Sequence, residues 1–336
     1  MPEIPAPIIK TSKFSIAEPG TPRRSPRRYR SLPHLRNMPH VRFRGCSMGT
    51  VTLQNEPQHM QVTELSEHTG VAVEGVDLGA PLAEADRQRM AQLFVERSVM
   101  VVRKQKLDPH GVLRAVQNFG DVFEQQNTRF SVPECPLIHY LSNEDRYPDG
   151  KRYIPGSGYH TDHSNDLEPP KATALYAVDL PSTGGDTQFA NMAEAYDALP
   201  GALRTRIDGK RARHVYQSHL SKRKLMSLTK DREERVKEGT LHPLVRTHPE
   251  TGRRAIFMNP IRIDQIEGLE ESETVALLDA LLEHATSKRF EYRHRWQPGD
   301  FLMWDNRCLL HKANGDYDMN ERRYLYRVML QGDKPH

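Results

Sequence analysis

Asp300-Phe-Leu-Met-Trp-Asp-Asn-Arg307 and Arg323-Tyr-Leu-Tyr-Arg-Val-Met-Leu-Gln331 decide the fold class. The first reads as a buried strand running into a polar turn. The second alternates, with Arg323, Leu325, Arg327 and Met329 on one face and Tyr324, Tyr326, Val328 and Leu330 on the other, as a strand's two-residue period requires. Upstream, Lys288 to Trp296 alternates in the same way. Ser98-Val-Met-Val-Val-Arg103 and residues 171–180 (KATALYAVDL) read as further strands, the latter followed by a Gly184-Gly185 turn. Helices are fewer. Glu84 to Ser98 carries Met90, Leu93 and Phe94 on one face. Asp108 caps a helix with Pro109 at its first position, and Val112, Leu113, Val116 and Phe119 form its stripe. Asn191 and Glu194 resemble a capping box before a short helix. Glu273 to Ala285 places Val275, Leu278, Leu281, Leu282 and Ala285 in register. Residues 215–240 are charged and weakly periodic, a long loop or a helical lid. Several strands with few helices predict an α+β fold with a mainly β core, a β-sandwich or jelly roll carrying flanking helices.

The 336 residues suffice for a sizeable core, and no apolar run approaches the roughly 20 residues of a membrane span. With no signal-peptide pattern either, the reading is cytoplasmic. Cys46, Cys135 and Cys308 are too few and too scattered for a disulfide framework or a cysteine zinc site, so a metal here needs His and carboxylate ligands. Charge is uneven: residues 1–57 hold ten Lys or Arg against three Glu, so the net +4 leaves −3 on the remainder. The same segment holds nine of the 24 prolines, a composition that predicts a disordered basic tail, with residues 58–336 as the folded domain. A polyanion-binding arm, or a start upstream of the true one at Met48 or Met60, are the other readings of the tail. A nucleic-acid enzyme carries its basic patch on the folded body, so nucleic acid is not an expected partner.

The chemistry centres on Gly158-Tyr-His160-Thr-Asp162-His163. In an extended chain His160 and Asp162 point the same way and can grip one metal ion. Alone this means little: 16 His and 20 Asp in this length give about one His-x-Asp by chance, and a surface hydrogen-bonded pair is the bland alternative. His311, just past Trp304-Asp-Asn-Arg307, offers a third ligand. Two His and one carboxylate on one face leave coordination positions open, as in non-haem iron oxygenases, whereas a closed zinc site wants a fourth ligand. His163, one residue past Asp162, points to the other face. Arg323 and Arg327, on one face of one strand, call for anionic partners, either internal salt bridges or bound anions.

Together these residues resemble the taurine and phenoxyacetate-herbicide dioxygenases, iron(II)- and 2-oxoglutarate-dependent enzymes with a double-stranded β-helix (jelly-roll, cupin-like) fold. The resemblance runs from about Met60 to Pro335. It takes in Gly75-Val-Asp-Leu78, Phe119-Gly120, His160-Thr-Asp162, Leu180-Pro-Ser-Thr-Gly-Gly-Asp-Thr187, His248-Pro-Glu-Thr-Gly-Arg253, Trp304-Asp-Asn-Arg307 with His311, and Arg322-Arg323 with Arg327. It implies that His160, Asp162 and His311 are the catalytic Fe(II) ligands, that Thr187 and Arg323 hold the distal carboxylate of 2-oxoglutarate, and that Arg327 meets an anionic group of a small substrate. It further implies that O2 and 2-oxoglutarate give succinate, CO2 and a hydroxylated product, which fragments if the carbon bears a sulfonate, sulfate ester or aryl ether. Halogenating relatives lack the carboxylate ligand, so Asp162 points to hydroxylation. The taurine enzymes carry a His and a Tyr soon after the Phe-Gly pair. Asp121-Val-Phe-Glu-Gln-Gln-Asn-Thr128 has neither, with Gln125 and Thr128 in their places, which argues against taurine itself.

Two other functions compete with the oxygenase: a metal-dependent hydrolase using the same His/Asp set, and a non-catalytic protein whose tail docks on polyanions. The sequence leaves the substrate and a possible homo-oligomer open. The pocket walls are expected from loops 121–159 and 212–240.

Overall fold

The computed structural model describes residues 59–125, 128–146, 150, 152, 154–223, 225 and 238–336. The tail, and half of the charged stretch 215–240 expected as a loop or lid, lie outside the described residues. The strands are β1 (Gln61–Glu64), β2 (Val71–Glu74), β3 (Val99–Val102), β4 (Ser131–Val132), β5 (Cys135–Ser142), β6 (Ala172–Asp179), β7 (Thr187–Asn191) and β8 (Arg211–His214). They continue as β9 (Thr240–Pro243), β10 (Val245–Thr247), β11 (Arg254–Ile256), β12 (Ile263–Ile266), β13 (Glu291–His294), β14 (Phe301–Asp305), β15 (Leu309–Ala313) and β16 (Tyr324–Leu330). The helices are α1 (Glu84–Arg97), α2 (Pro109–Gln117), α3 (Met192–Asp197), α4 (Gly201–Ile207) and α5 (Glu271–Ala285). None is long and apolar enough to cross a membrane.

An eight-stranded sheet in the order β1-β2-β3-β14-β6-β16-β5-β4 dominates, antiparallel except for the β2–β3 pair. The mixed architecture is thus mostly sheet. Its central strands β3, β14 and β6 are mostly apolar because both faces are covered. Period-two alternation divides them between two cores: Val101, Leu175, Leu302, Trp304 and Leu325 join one, while Met100, Ala174, Met303, Phe301 and Val328 join the other. The second core is closed by Met90, Leu93 and Phe94 of α1 and by Val112, Ala115 and Val116 of α2. Asp108 caps α2 as its sequence suggests, accepting from Gly111 N at 2.6 Å. The first core is closed by the three-stranded sheet β13-β7-β15 together with α3 and α5. The functional residues lie along this first core.

Three local expectations need correction. In α5 it is Leu277, not Val275, that is buried: the helix begins two residues earlier than expected, and its face turns so that Thr274, Leu277, Leu278 and Leu281 point inward while Val275 is exposed. The capping box belongs to α5, where Glu270 and Glu273 bond reciprocally. At α3, Asn191 Oδ1 accepts from Ala193 N and Glu194 N, but the Glu194 side chain is engaged by Arg253 at 2.8 Å instead of returning to the cap.

Candidate active site

His311 lies in β15, directly opposite Phe189 of β7. On the other side of β15, His160 forms a one-residue antiparallel bridge with it: His160 N donates to His311 O at 3.0 Å and His311 N donates to His160 O at 2.8 Å. Residues opposed in this way project to the same face, and the two imidazoles stand 4.2 Å apart, centre to centre. The extended geometry expected of His160-x-Asp162 holds only for His160; the chain turns at Asp162, and His163 takes a left-handed φ of 43°. The turn still delivers Asp162. Its Oδ1 is 3.8 Å from His160 Nε2, and its Oδ2 is 3.7 Å from His311 Nε2. One donor atom from each of the three residues lies within 4.8 Å of the others, a spacing one cation can bridge. His163 is directed elsewhere, against Phe123 and Asp166.

The protonation states suit a divalent cation. Burial holds the His160 imidazole well below its ordinary range, helped by the neighbouring His311, and pushes His311 down to about 4. Both are neutral near pH 7, as metal-binding imidazole must be. Burial by itself would raise Asp162, but His311, His160 and Arg327 around it outweigh that effect and keep it ionised. His160 Nδ1 donates to Gly158 O at 2.7 Å, which leaves Nε2 as the ligand nitrogen. Two neutral imidazoles and one carboxylate, buried together, fit Fe(II).

Next to this set a second recess is lined by Leu175, Thr187, Trp304, Arg323 and Arg327. Arg323 is only 4% exposed, yet it meets no carboxylate among the described residues; its Nε donates to Gly185 O at 3.0 Å. The internal salt bridge that could have explained it is absent there, and so is one to Arg327. A buried guanidinium without a counter-ion is a strong anion site. Thr187 adds a directed donor. Trp296 Nε1 can only donate, and does so to Thr187 Oγ1 at 3.1 Å, so the threonine's own hydrogen is free to point at an anion. Sequence reasoning missed Trp296, because its role appears only through the pairing of β13 with β7.

The larger pocket over His160 and Asp162 is walled by Phe130, Tyr140, Leu141, Tyr216 and Ile261, with Arg223, Arg262 and Arg327 as its cations and Asp145 as a further carboxylate at its wall. The walls come from the two stretches expected as loops and from the Asn259–Arg262 turn, but the first stretch is not all loop: Tyr140 and Leu141 project from strand β5. Arg327 Nη2 donates to Gln125 Oε1. Arg223, also missed from the sequence, reaches Gly158 O at 3.4 Å.

His248, Asp305 and Cys308 form a second group with metal-like spacing. Arg307 already bonds both Asp305 oxygens, and His248 lies 3.1 Å from Oδ2. Burial pushes the Cys308 thiol up to about 12, and its Sγ–H donates to Ser98 Oγ. A carboxylate claimed by arginine beside a protonated thiol is a structural network, not a cation site.

Residues 61–329 match the family model described as taurine catabolism dioxygenase TauD, TfdA family, and the chain belongs to this family. It is 35% identical over 274 residues to an alpha-ketoglutarate-dependent 2,4-dichlorophenoxyacetate dioxygenase of Cupriavidus pinatubonensis (strain JMP 134), covering 78% of this chain and 94% of the relative. Among solved structures, a taurine dioxygenase from Burkholderia xenovorans is 33% identical with a TM-score of 0.69, covering 82% of this chain and 92% of that one. AAD-2 in complex with Mn(II) and N-oxalylglycine is 27% identical with a TM-score of 0.69, covering 82% and 98%. The chain is therefore an oxidoreductase of the 2-oxoglutarate-dependent dioxygenase class, using Fe(II), 2-oxoglutarate and O2.

Proposed function

We propose that this enzyme hydroxylates a small anionic substrate with an aromatic or otherwise apolar body, on a double-stranded β-helix formed by the eight-stranded sheet and β13-β7-β15. His160, Asp162 and His311 hold Fe(II), which when bound supplies the activation of O2. Arg323 and the Thr187 hydroxyl take the distal carboxylate of 2-oxoglutarate. Arg327, with Gln125 fixing its guanidinium, takes the substrate anion and places the adjoining C–H over the metal set. The observation that carries this reading is the pairing of Arg327 and Arg223 with the walls Phe130, Tyr140 and Tyr216 directly above His160 and Asp162. Aryl and apolar walls with cationic ends suit an aryloxyalkanoate, the class named for the Cupriavidus relative, and suit taurine less well, since its ammonium would share the pocket with three guanidinium groups against the one wall carboxylate of Asp145. Residues 1–57 act outside catalysis.

A panel of aryloxyalkanoates, alkyl sulfates, sulfonates including taurine, and neutral aryl ethers, scored by succinate release, tests the proposal. Aryloxyalkanoates should lead, and Asp162→Ala should abolish turnover of every compound without unfolding the protein. Taurine outperforming the other anions would overturn the substrate class; full activity in Asp162→Ala would overturn the metal set.

A further inference from the structure

We infer that Thr173 and Asn306 are positioning residues for the metal carboxylate, joined in a directed hydrogen-bond relay that ends on Asp162. The relay begins at Trp304, whose Nε1–H donates to Asn306 Oδ1 at 3.0 Å. An indole nitrogen can only donate, so this contact decides which end of the Asn306 amide is oxygen. Its NH2 end therefore faces Thr173, with Nδ2 2.9 Å from Thr173 Oγ1. The threonine oxygen is now an acceptor, and its single hydrogen is directed to Asp162 Oδ2 at 2.6 Å. Thr173, Asn306 and Asp162 are all buried, with relative exposures of 0%, 2% and 6%. Away from water, a hydroxyl bonded to an ionised carboxylate is among the stronger hydrogen bonds a protein makes.

The relay sets more than one coordinate. It occupies Oδ2, while Oδ1 accepts no hydrogen bond from any described residue and is left as the free donor beside His160 Nε2. The same asparagine holds the ligand-bearing segment through its backbone: Thr161 Oγ1 donates to Asn306 O at 2.9 Å. Asn259 holds the other side of Thr161, donating to its carbonyl at 2.7 Å. Asn306 also opens the turn between β14 and β15, the strand that carries His311. One residue thus ties the turn leading to one imidazole to the carboxylate, by its side chain through Thr173, and to the segment bearing the other imidazole, by its backbone carbonyl through Thr161. Groups that orient a ligand in this way are worth roughly 10- to 100-fold in metal affinity.

This inference rests on His160, Asp162 and His311 being the metal set, so the test separates the two claims. Mn(II) binding to the full-length protein is measured by calorimetry, and Co(II) binding by its visible absorption, for the parent, Asp162→Ala, Thr173→Val, Thr173→Ser and Asn306→Leu. Asp162→Ala should lose tight binding; if it does not, the metal set itself is wrong. Thr173→Val keeps shape but removes the hydroxyl, and should weaken Mn(II) binding about 10- to 100-fold and alter the Co(II) spectrum. Thr173→Ser restores the hydroxyl and should bind within about threefold of the parent. Asn306→Leu leaves the threonine hydrogen undirected and should weaken binding while Thr173 is intact, which keeps the relay testable if Thr173→Val does not fold. Parent-like binding in Thr173→Val or in Asn306→Leu overturns the relay. So does a Thr173→Ser protein as weak as Thr173→Val, which would assign the effect to packing of the methyl group.

Discussion

The Trp296 indole donates to the buried Thr187 hydroxyl at 3.1 Å, from the residue two past the end of β13 to the first residue of β7. The contact turns a hydroxyl that could rotate freely into a directed donor at the recess where Arg323 meets no carboxylate among the described residues. Thr187→Val should therefore raise the KM for 2-oxoglutarate about 10-fold, the loss of a hydrogen bond to a charged group of roughly 1.5 kcal/mol. Trp296→Phe leaves the hydroxyl in place but undirected and should raise it less. Initial rates against 2-oxoglutarate at saturating substrate separate the two; an unchanged KM in Thr187→Val would remove Thr187 from the anion site.

Arg323, just before the start of β16 rather than within it as its alternation suggested, and Arg327, inside the strand, both line the second recess, yet their surroundings assign them different anions. Arg323 is buried beside Gly185 and Thr187, whereas Arg327 lines both recesses and is braced by Gln125. Arg323→Ala should chiefly raise the KM for 2-oxoglutarate, by roughly 30- to 1000-fold for a lost contact of about 2–4 kcal/mol. Arg327→Ala should chiefly raise the KM of an anionic prime substrate and change that of a neutral aryl ether little. Gln125→Ala should reproduce a weaker form of the Arg327 effect. Both KM values, taken for each folded variant, decide the assignment; an Arg327→Ala effect confined to 2-oxoglutarate would exchange the two roles.

The parts of this fold readable in sequence are those whose cause is local. The apolar runs of β3, β6 and β14 declare strands buried on both faces, and Asp108-Pro109 declares the start of α2. Short strands such as Arg211–His214 do not: two arginines in four residues read as a loop, and the strand exists because β9 and β12 pair on either side of it. The site divides in the same way. His160 and Asp162 are neighbours in sequence, and ordered motifs direct attention to His311, Thr187 and the two arginines. Trp296, Thr173 and Arg223 carry no local mark, and Asn306, though inside the Trp304-Asp-Asn-Arg307 motif, shows no role of its own in the sequence. Thr173 reaches Asn306 across 133 positions of chain, and a threonine in a strand is otherwise ordinary.

The most general prediction concerns acid. His242 is buried against His214 and Phe257, with Nε2 donating to Asp166 O at 2.8 Å. Burial depresses its imidazole to about 4, with Arg246 and Arg211 adding to the effect. In the unfolded chain the same group titrates near its ordinary 6.5. Above that value it is neutral in both states, and its contribution to stability is fully present. As pH falls below 6.5 the unfolded chain takes up the proton first, so the contribution shrinks until the folded state also protonates near 4. Linkage puts the loss at about 2 kcal/mol by pH 5 and about 3 kcal/mol below pH 4. His214, held well below its ordinary range by burial and by His242, works in the same direction. Urea unfolding of the metal-free protein should therefore show stability falling between pH 7.5 and 5. His242→Phe should be less stable at pH 7.5, since Asp166 O loses its donor, yet lose about 2 kcal/mol less than the parent over the same interval. An equal acid loss in the two proteins would show that His242 is not the group whose protonation opens the fold.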